Sequence, residues 1–317
     1  MIKEKLLNID RRILYGLLIL VTVIPLRCDQ KLNNITDDYS NAFYEAVSNI
    51  PEGKTVFIES DWTTSTRGEN SGHLEALLRI LMAKKTKFAI FSVGDAQAPG
   101  VFRGVLLRLM EERKTLGLPA YQPFEDYVDL GYFANAEGTL QAIGGDVRKV
   151  FEKKSIRDAE GKQRSAFDSP VLSNVKSVGD VPMYIVVTAS NTIDRAIERL
   201  SAKTTLACMC TGVIGPSALP YFQSGQLKGV AIGLKGVFDI EYLMANGLNL
   251  ETKESVKWSK QPDKTAQPIT VGKTLDRGNR YFLSFMCAIL LLIATVVTGN
   301  VMMFVARAQS KPQGDEA

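Results

Sequence analysis

Histidine is almost absent from the 317 residues, since His73 is the only one, and the cysteines number four. A single imidazole excludes any mechanism that needs two histidines. Cys28 and Cys287 belong to apolar segments, while Cys208 and Cys210 are separated by one residue, a spacing that would strain a disulfide. Because no other Cys or His cluster completes a zinc shell, we interpret the cysteines as small core residues and expect no metal site.

An excess of charge of either sign is also absent, with 38 basic against 34 acidic residues, so we expect no nucleic-acid partner. The sequence lacks the GxxxxGK[ST] loop, a GxGxxG turn after the first strand, the GxSxG elbow and HExxH. A hydrolase built on Asp61, His73 or Ser217 is a third alternative, but the expected nucleophile, base and orienting group do not occur together. We therefore expect neither an enzyme nor a bound cofactor.

Two long apolar segments are present. Residues 13–26 carry no charge and follow a basic flank, the layout of a signal anchor, but at 1.5 Å per residue they give only about 21 Å. Residues 281–305 have no formal charge and are long enough to cross a bilayer. We expect the lipid bilayer as a partner at both segments. Because no small-x-small cleavage site follows the first segment, we favour its retention as an uncleaved anchor.

The apolar segments define the expected organisation of the chain. The prediction is a cytoplasmic tail (1–12), a first transmembrane helix (13–28), an α/β domain (29–247), a juxtamembrane stalk (248–280), a second transmembrane helix (281–305) and a tail (306–317). Basic residues before the first span favour a cytoplasmic N-terminus, whereas those before the second favour the reverse. Since the first helix usually dominates, we expect the cell inner (cytoplasmic) membrane and an extracytoplasmic domain.

Between these segments, short apolar runs alternate with helical periodicity. TVFIESDW, HLEALLRILMAK and KFAIFSVGD read as strand, helix and strand, and MYIVVTAS, NTIDRAIERLSA and TTLACMCTG repeat that order. A βαβ order implies parallel strands. The sequence therefore predicts an α/β fold with a largely parallel, doubly wound (Rossmann- or flavodoxin-like) sheet in two similar halves, about 51–151 and 182–247, separated by a charged excursion at 152–181.

Polar residues directly follow the predicted strands. Ligands of parallel α/β sheets bind outside the carboxyl ends of the strands, so these residues form a candidate ligand rim. The rim consists of Glu59, Ser60, Asp61, Gly94, Asp95, Ser190, Asn191, Thr211 and Gly212. Its acids and hydroxyls suit a polar ligand or a cation; the alternative is that they cap the following helices.

Glycine is densest between 220 and 236. The candidate docking residues there are Tyr221, Phe222, Gln223, Gly225, Gly229, Gly233, Lys235 and Gly236. Glycine at this density allows close backbone approach or positive φ. The segment therefore predicts either turns around a sheet-edge strand or a docking surface, on which the aromatic side chains contact a neighbouring chain that the glycines allow to come near.

The run PYFQSGQLKGVAIGLKGVFDIEYL, with DRRILYGLLILVTVIPL near the start and DYVDLGYF in the middle, resembles a family of bacterial membrane-anchored proteins. That family has terminal transmembrane segments and a PYxQSGQLxGxxxGLKGxxEYE-like motif, from which this chain departs at Phe238, Asp239 and Ile240. The resemblance implies an architecture and no activity.

These features favour a non-enzymatic, membrane-anchored subunit that docks or scaffolds a membrane protein assembly. Its expected partners are other integral membrane proteins or a second copy of the chain. The alternative is a membrane-anchored ligand-binding or sensory domain that uses the rim at the strand carboxyl ends.

Overall fold

The computed structural model describes residues 11–27, 32–249, 252, 255, 268–269 and 275–309. The chain divides into two compact units, one of Asn33–Gly278 and one of Met1–Leu32 together with Asn279–Ala317. Most of both predicted tails and most of the predicted stalk at 248–280 lie outside the described residues.

A parallel sheet of six strands forms the centre of the larger unit. The strands of the described residues, in chain order, are β1 (Thr55–Asp61), β2 (Lys87–Ser92), β3 (Tyr127–Tyr132), β4 (Ser155–Arg157), β5 (Gln163–Ser165), β6 (Tyr184–Thr188), β7 (Leu206–Cys210) and β8 (Leu227–Ile232). Strands β4 and β5 form a separate two-stranded sheet, and the other six form the central sheet. The sheet has the order β3-β2-β1-β6-β7-β8, so the two halves extend outward from the neighbours β1 and β6. The predicted α/β fold with a parallel sheet and flanking helices is confirmed.

Helices cover both faces of this sheet. In chain order the helices are α1 (Arg11–Arg27), α2 (Asp38–Ser48), α3 (Arg67–Ala83), α4 (Ala98–Thr115), α5 (Ala136–Ile143), α6 (Val147–Phe151), α7 (Thr192–Leu200), α8 (Gly215–Gln223), α9 (Gly233–Asn246) and α10 (Arg277–Gln309). Side chains of α2, α3, α4 and α9 share one core, and those of α5, α6, α7 and α8 share the other. Alternation along β1 sends Val56 and Ile58 into the first core and Phe57 into the second. Burial on both faces explains why the strands have nearly continuous apolar runs.

The charged excursion at 152–181 packs against the second core. It contains the antiparallel hairpin β4–β5, and its side chains Phe167, Leu172 and Val178 are buried in that core. Strands of three residues are too short for alternation to be visible, so the sequence did not predict the hairpin.

In the smaller unit, α10 is long and apolar enough to cross a membrane. Its candidate span, Arg277–Arg307, has 31 residues and a mean hydropathy of 2.4, and none of its most apolar window is buried. A helix that is apolar on all sides belongs in a protein core or in lipid, and this one is not in a core. Within the described ranges no other helix meets the criteria for a span. The first apolar segment forms α1, whose 17 residues give about 25 Å, so a second span stays a prediction.

Candidate functional site

The carboxyl edge of the sheet is the first candidate, because the strand order reverses between β1 and β6 at its centre. The structure brings the rim residues to this edge and divides them by exposure. Glu59, Ser60, Asp61 and Thr211 are buried, Asp95 is half-buried, and Gly94, Ser190, Asn191 and Gly212 are exposed. The acids at the end of β1 therefore lie beneath the surface.

Asp61, the last residue of β1, is bonded to the neighbouring strand. Its Oδ1 accepts from Ser92 Oγ at 2.6 Å and from the Val93 N–H at 3.1 Å. Its Oδ2 lies where a side chain at Gly94 would begin, because a Cβ there would be 2.7 Å from that oxygen. Gly94 is thus required for the position of Asp61, and the adjoining space is occupied by Thr192 at the start of α7.

Glu59 lies two residues earlier on β1 and is fully buried. Its Oε2 accepts from the Tyr184 hydroxyl of β6. Burial, followed by the charge of Asp61 and a hydrogen bond with Asp61, raises the pKa of Glu59 well above its ordinary value. Ser60 points to the opposite face, where its Oγ accepts from Trp62 Nε1 at 2.9 Å.

The remaining rim residues have largely local roles. Asp95 Oδ1 accepts from the Gln97 N–H at 2.7 Å, just before α4, and the Ser190 N–H donates to Thr188 Oγ1 at 3.0 Å. The Gly212 N–H donates to Glu69 Oε2 at 2.8 Å. The first two bonds stabilise local turns, whereas the third joins the loop after β7 to α3, and neither α4 nor α7 has a side-chain cap bond. Asn191 precedes α7 without a side-chain cap bond.

His73 lies inside α3 and is fully buried. Burial lowers the pKa of His73 to about 4, against an opposing effect of the Gly233 backbone. The imidazole is therefore neutral and enclosed at neutral pH, while Ser217 of the same hydrolase alternative is exposed on α8. Within the ranges that the structure describes, no group of three or more His, Cys, Asp or Glu is placed to hold a metal ion.

The glycine-rich segment needs a correction, because several of its glycines contact the chain itself. A Cβ on Gly229 would lie 2.2 Å from the backbone nitrogen of Phe43, so this glycine lets α2 approach β8. A Cβ on Gly236 would meet the Ala231 carbonyl carbon at 2.7 Å, and Gly233 has φ +59° at the turn into α9. These three positions serve internal packing and do not leave space for a neighbouring chain.

Lys235 is also engaged internally. Its ammonium donates to the Ile35 carbonyl oxygen at 2.9 Å and pairs with Asp239, which is fully buried. Asn34 Nδ2 donates to the same carboxylate at 2.7 Å. Asp239, where the chain departs from the family motif, thus fixes the segment before α2 to α9. Lys235 is not available as a free docking cation.

The other docking residues lie beside an open cavity at the amino edge of the sheet. The cavity has a volume of about 690 Å³. It lies between the residues that precede β1, β6 and β7 and the exposed face of α2. Phe222 and Gly225 line it, and Tyr221 and Gln223 flank Phe222 at the end of α8.

The α2 side of this cavity was missed in the sequence. Ala42, Ala46 and Asn49 line it together with Glu45. A usable signal was present, because spacings of four and three residues place 42, 46 and 49 on one helical face, and small side chains there leave space. Phe43 and Val47, which face the core, carry the stronger apolar signal of this helix.

Comparison with known proteins adds no relative, since the chain matches no protein-family profile, no curated protein and no solved structure. The resemblance based on the glycine-rich motif therefore stays a prediction.

Proposed function

We propose that the protein is a membrane-anchored, non-enzymatic subunit whose α/β domain docks a partner in a membrane assembly. The observation that carries this proposal is the position of Phe222 and Gly225 at the open cavity of the amino edge. At the carboxyl edge, by contrast, the buried acids and hydroxyls bond to one another. Docking is thus supported better than catalysis or ligand binding.

The chemistry of the cavity indicates what kind of partner it fits. Its lining mixes apolar and polar side chains, with Ile50, Met183 and Phe222 among the larger apolar ones and Asn49 and Thr205 among the polar ones, and Glu45 and Lys228 add one charge of each sign. Interfaces of this kind have an apolar centre and a polar rim. The expected partner is an integral membrane protein, or a second copy of this chain, that inserts an apolar side chain.

The membrane part of the proposal adds α1 as a second span beside α10. Within the smaller unit, Ser284 Oγ donates to the Thr22 carbonyl oxygen at 2.7 Å, and Arg280 Nη1 donates to the Leu26 carbonyl oxygen at 3.2 Å. From the first contact to the second, the position moves four residues forward on α1, from Thr22 to Leu26, and four residues back on α10, from Ser284 to Arg280. Helices that contact each other in this way are antiparallel. Antiparallel spans place both tails on one side, which is the cytoplasm in the orientation that the first flank favours.

Two biochemical measurements test the anchor. Carbonate or high-salt washing should leave the full chain in the membrane pellet, because a span of this hydropathy is held by the hydrocarbon core. Protease added to intact cells with a permeabilised outer layer should digest the domain if it is extracytoplasmic. Release into the supernatant would overturn the anchor, whereas protection from protease would overturn only the orientation.

Photocrosslinking tests the docking surface. A photoreactive residue in place of the exposed Gln223 should give a discrete adduct in native membranes. Ala46→Leu, which fills the cavity from α2, should abolish that adduct. Ala83→Leu, at an exposed helix position away from the cavity, is the matched control and should leave it unchanged.

An adduct that survives Ala46→Leu would contradict the cavity as the docking site. The mass of the adduct distinguishes a second copy of the chain from a different membrane protein.

The second candidate function is a ligand-binding or sensory domain, favoured by the exposed polar residues at the reversal of strand order. Ser190 and Asn191 are the exposed members of that rim that carry polar side chains, and they lie beside the start of α7, which has no side-chain cap bond. A ligand present at 100 times its dissociation constant should stabilise the domain by about 2.7 kcal/mol. A metabolite panel that produces no thermal shift in the wild type, or an equal shift in the Ser190→Ala/Asn191→Ala variant, would remove this candidate.

A further inference from the structure

The acids of β1 form a buried pair. Glu59 and Asp61 are two residues apart on one strand, so their side chains project from the same face of the sheet. They are 0% and 4% exposed. Each uses one carboxyl oxygen in ordinary hydrogen bonds, Glu59 with Tyr184 and Asp61 with Ser92 and Val93.

The second oxygen of each acid has no ordinary donor. Among the described residues, Glu59 Oε1 and Asp61 Oδ2 are both enclosed and accept no hydrogen bond from an N–H or a hydroxyl. A buried oxygen without a donor destabilises the fold, and more so when it is charged. Two such oxygens, on neighbouring acids of one face of the sheet, either share a proton or belong to two buried negative charges that destabilise the fold.

The surroundings supply little compensating charge. The groups that act on Glu59 are Asp61 on its own strand, Tyr184 on β6 and Arg195 on α7. Besides the hydrogen bond with Cys210 and burial, the charge of Glu59 in turn raises the pKa of Cys208 on β7, as does that of Asp194 on α7. Only Arg195 is cationic, and its effect on the pKa of Glu59 is smaller than those of burial, Asp61 and Tyr184. Two close carboxylates in such a site do not both ionise at neutral pH.

We propose that Glu59 and Asp61 form a proton-binding site in which one proton lies between Glu59 Oε1 and Asp61 Oδ2. Glu59 is the donor, because its other oxygen accepts from a single phenol, whereas Asp61 accepts from a hydroxyl and a backbone N–H. The pair then carries one negative charge, and both enclosed oxygens are satisfied. The site lies at the sheet edge opposite the docking cavity, so the two proposals stand or fall separately.

The proton couples the fold to pH. A carboxyl group that stays protonated in the folded chain, but ionises in the unfolded one, stabilises the fold less as pH rises. The stabilisation is complete below the ordinary pKa of 4.5 and is lost progressively as pH rises toward the raised pKa of the folded state. Rising pH therefore weakens the junction of β1, β2 and β6 from about pH 4.5 upward, and more acidic pH maintains it.

Infrared spectroscopy of the full chain in detergent detects the proton directly. All samples carry Glu241→Gln, because burial raises the pKa of Glu241 to about 7 and its protonated form would otherwise contribute. At neutral pH the spectrum should contain a carbonyl band of a protonated carboxylic acid, and Glu59→Gln should remove it. Glutamine at 59 can donate to Asp61 and accept from Tyr184, so the variant should fold, and its thermal midpoint should fall less as pH rises above about 4.5.

Asp61→Asn provides the second test. Asparagine still accepts from Ser92 and Val93, but Glu59 loses the carboxylate that shares its proton, while its burial is unchanged. The carbonyl band of Glu59 should therefore weaken or move in frequency. The proposal is overturned if no band disappears in Glu59→Gln, or if the band is identical in position and intensity in Asp61→Asn. If Glu59→Gln does not fold, the Asp61→Asn result decides alone.

Discussion

Glu241→Gln is expected to remove a large part of the pH dependence of stability. Glu241 lies on α9, is only 7% exposed, and accepts from the Gly278 N–H at 2.7 Å. Burial raises the pKa of Glu241 to about 7, against the Gly278 bond and the charges of Arg79 and Arg277, while the charge of Glu75 adds to the rise. The folded chain therefore holds a proton on Glu241 at pH values where the unfolded chain has released it.

The magnitude follows from the difference between the folded and ordinary pKa values, about 7 against 4.5. Each unit corresponds to about 1.4 kcal/mol, so wild-type stability should fall by about 3 kcal/mol from this group as pH rises from 4.5 to above 7. The sign is that of a raised carboxyl pKa, with full stabilisation at acid pH and loss toward neutral pH. Glutamine has no proton to release, and its carbonyl oxygen still accepts from Gly278.

The assay is urea unfolding of the full chain in detergent, followed by tryptophan fluorescence at several pH values between 5 and 8. Subtracting the Glu241→Gln curve from the wild-type curve isolates this carboxyl group, because Glu59 and Asp239 titrate in both proteins. Glu52→Gln, at an exposed glutamate paired with Lys85 at 3.1 Å, is the control and should follow the wild type. Equal pH slopes for wild type and Glu241→Gln would refute the reasoning.

Two further predictions concern packing and a buried ion pair. Gly229→Ala should destabilise the domain by about 3 kcal/mol, because the added methyl overlaps the Phe43 backbone. Gly104→Ala, in open space on α4, should stabilise it by up to about 1 kcal/mol. Urea titrations of the two variants measure these effects, and equal effects would contradict the contact between Gly229 and Phe43. Asp239→Ala should lower the free energy of unfolding by about 2 kcal/mol or more, because the bonds from Asn34 and Lys235 are lost. It should also expose the segment before α2 to protease, and an unchanged digestion pattern would contradict the role of Asp239 in fixing that segment.

The parallel sheet was predictable because each central strand is buried on both faces. TVFIESD and KFAIFS are short apolar runs separated by a helix with Leu74, Leu77 and Leu81 at helical spacing, and right-handed βαβ connection leaves few other arrangements. The hairpin β4–β5 was not predictable, since its exposed residues alternate over only three positions. Its position depends on Phe167 and Leu172, whose burial is a property of the tertiary fold.

The location of the candidate sites was predictable from the sequence, but the contacts that their residues make were not. Sequence order alone places Asp61 and Gly94 at one sheet edge, but it does not show that Asp61 bonds to Ser92 or that Gly94 has no side chain because Asp61 fills the space. Similarly, the glycine density near Gly229 predicts close backbone approach without saying which backbone approaches. The partner is α2, which lies far away in sequence, and only the folded chain brings it to β8.

The two edges of the sheet differ for a reason that the same contacts explain. At the carboxyl edge, Asp61 bonds the end of β1 to the end of β2, and Glu69 of α3 accepts from the Gly212 N–H after β7. The loops between which ligands of such sheets usually bind are therefore bonded to each other. At the amino edge, Gly229 draws α2 against β8, and the small side chains of Ala42 and Ala46 leave the space beside Phe222 unfilled. A ligand at the carboxyl edge must break existing hydrogen bonds, whereas a partner at the amino edge meets an open cavity of mixed polar and apolar lining, which favours docking over ligand binding.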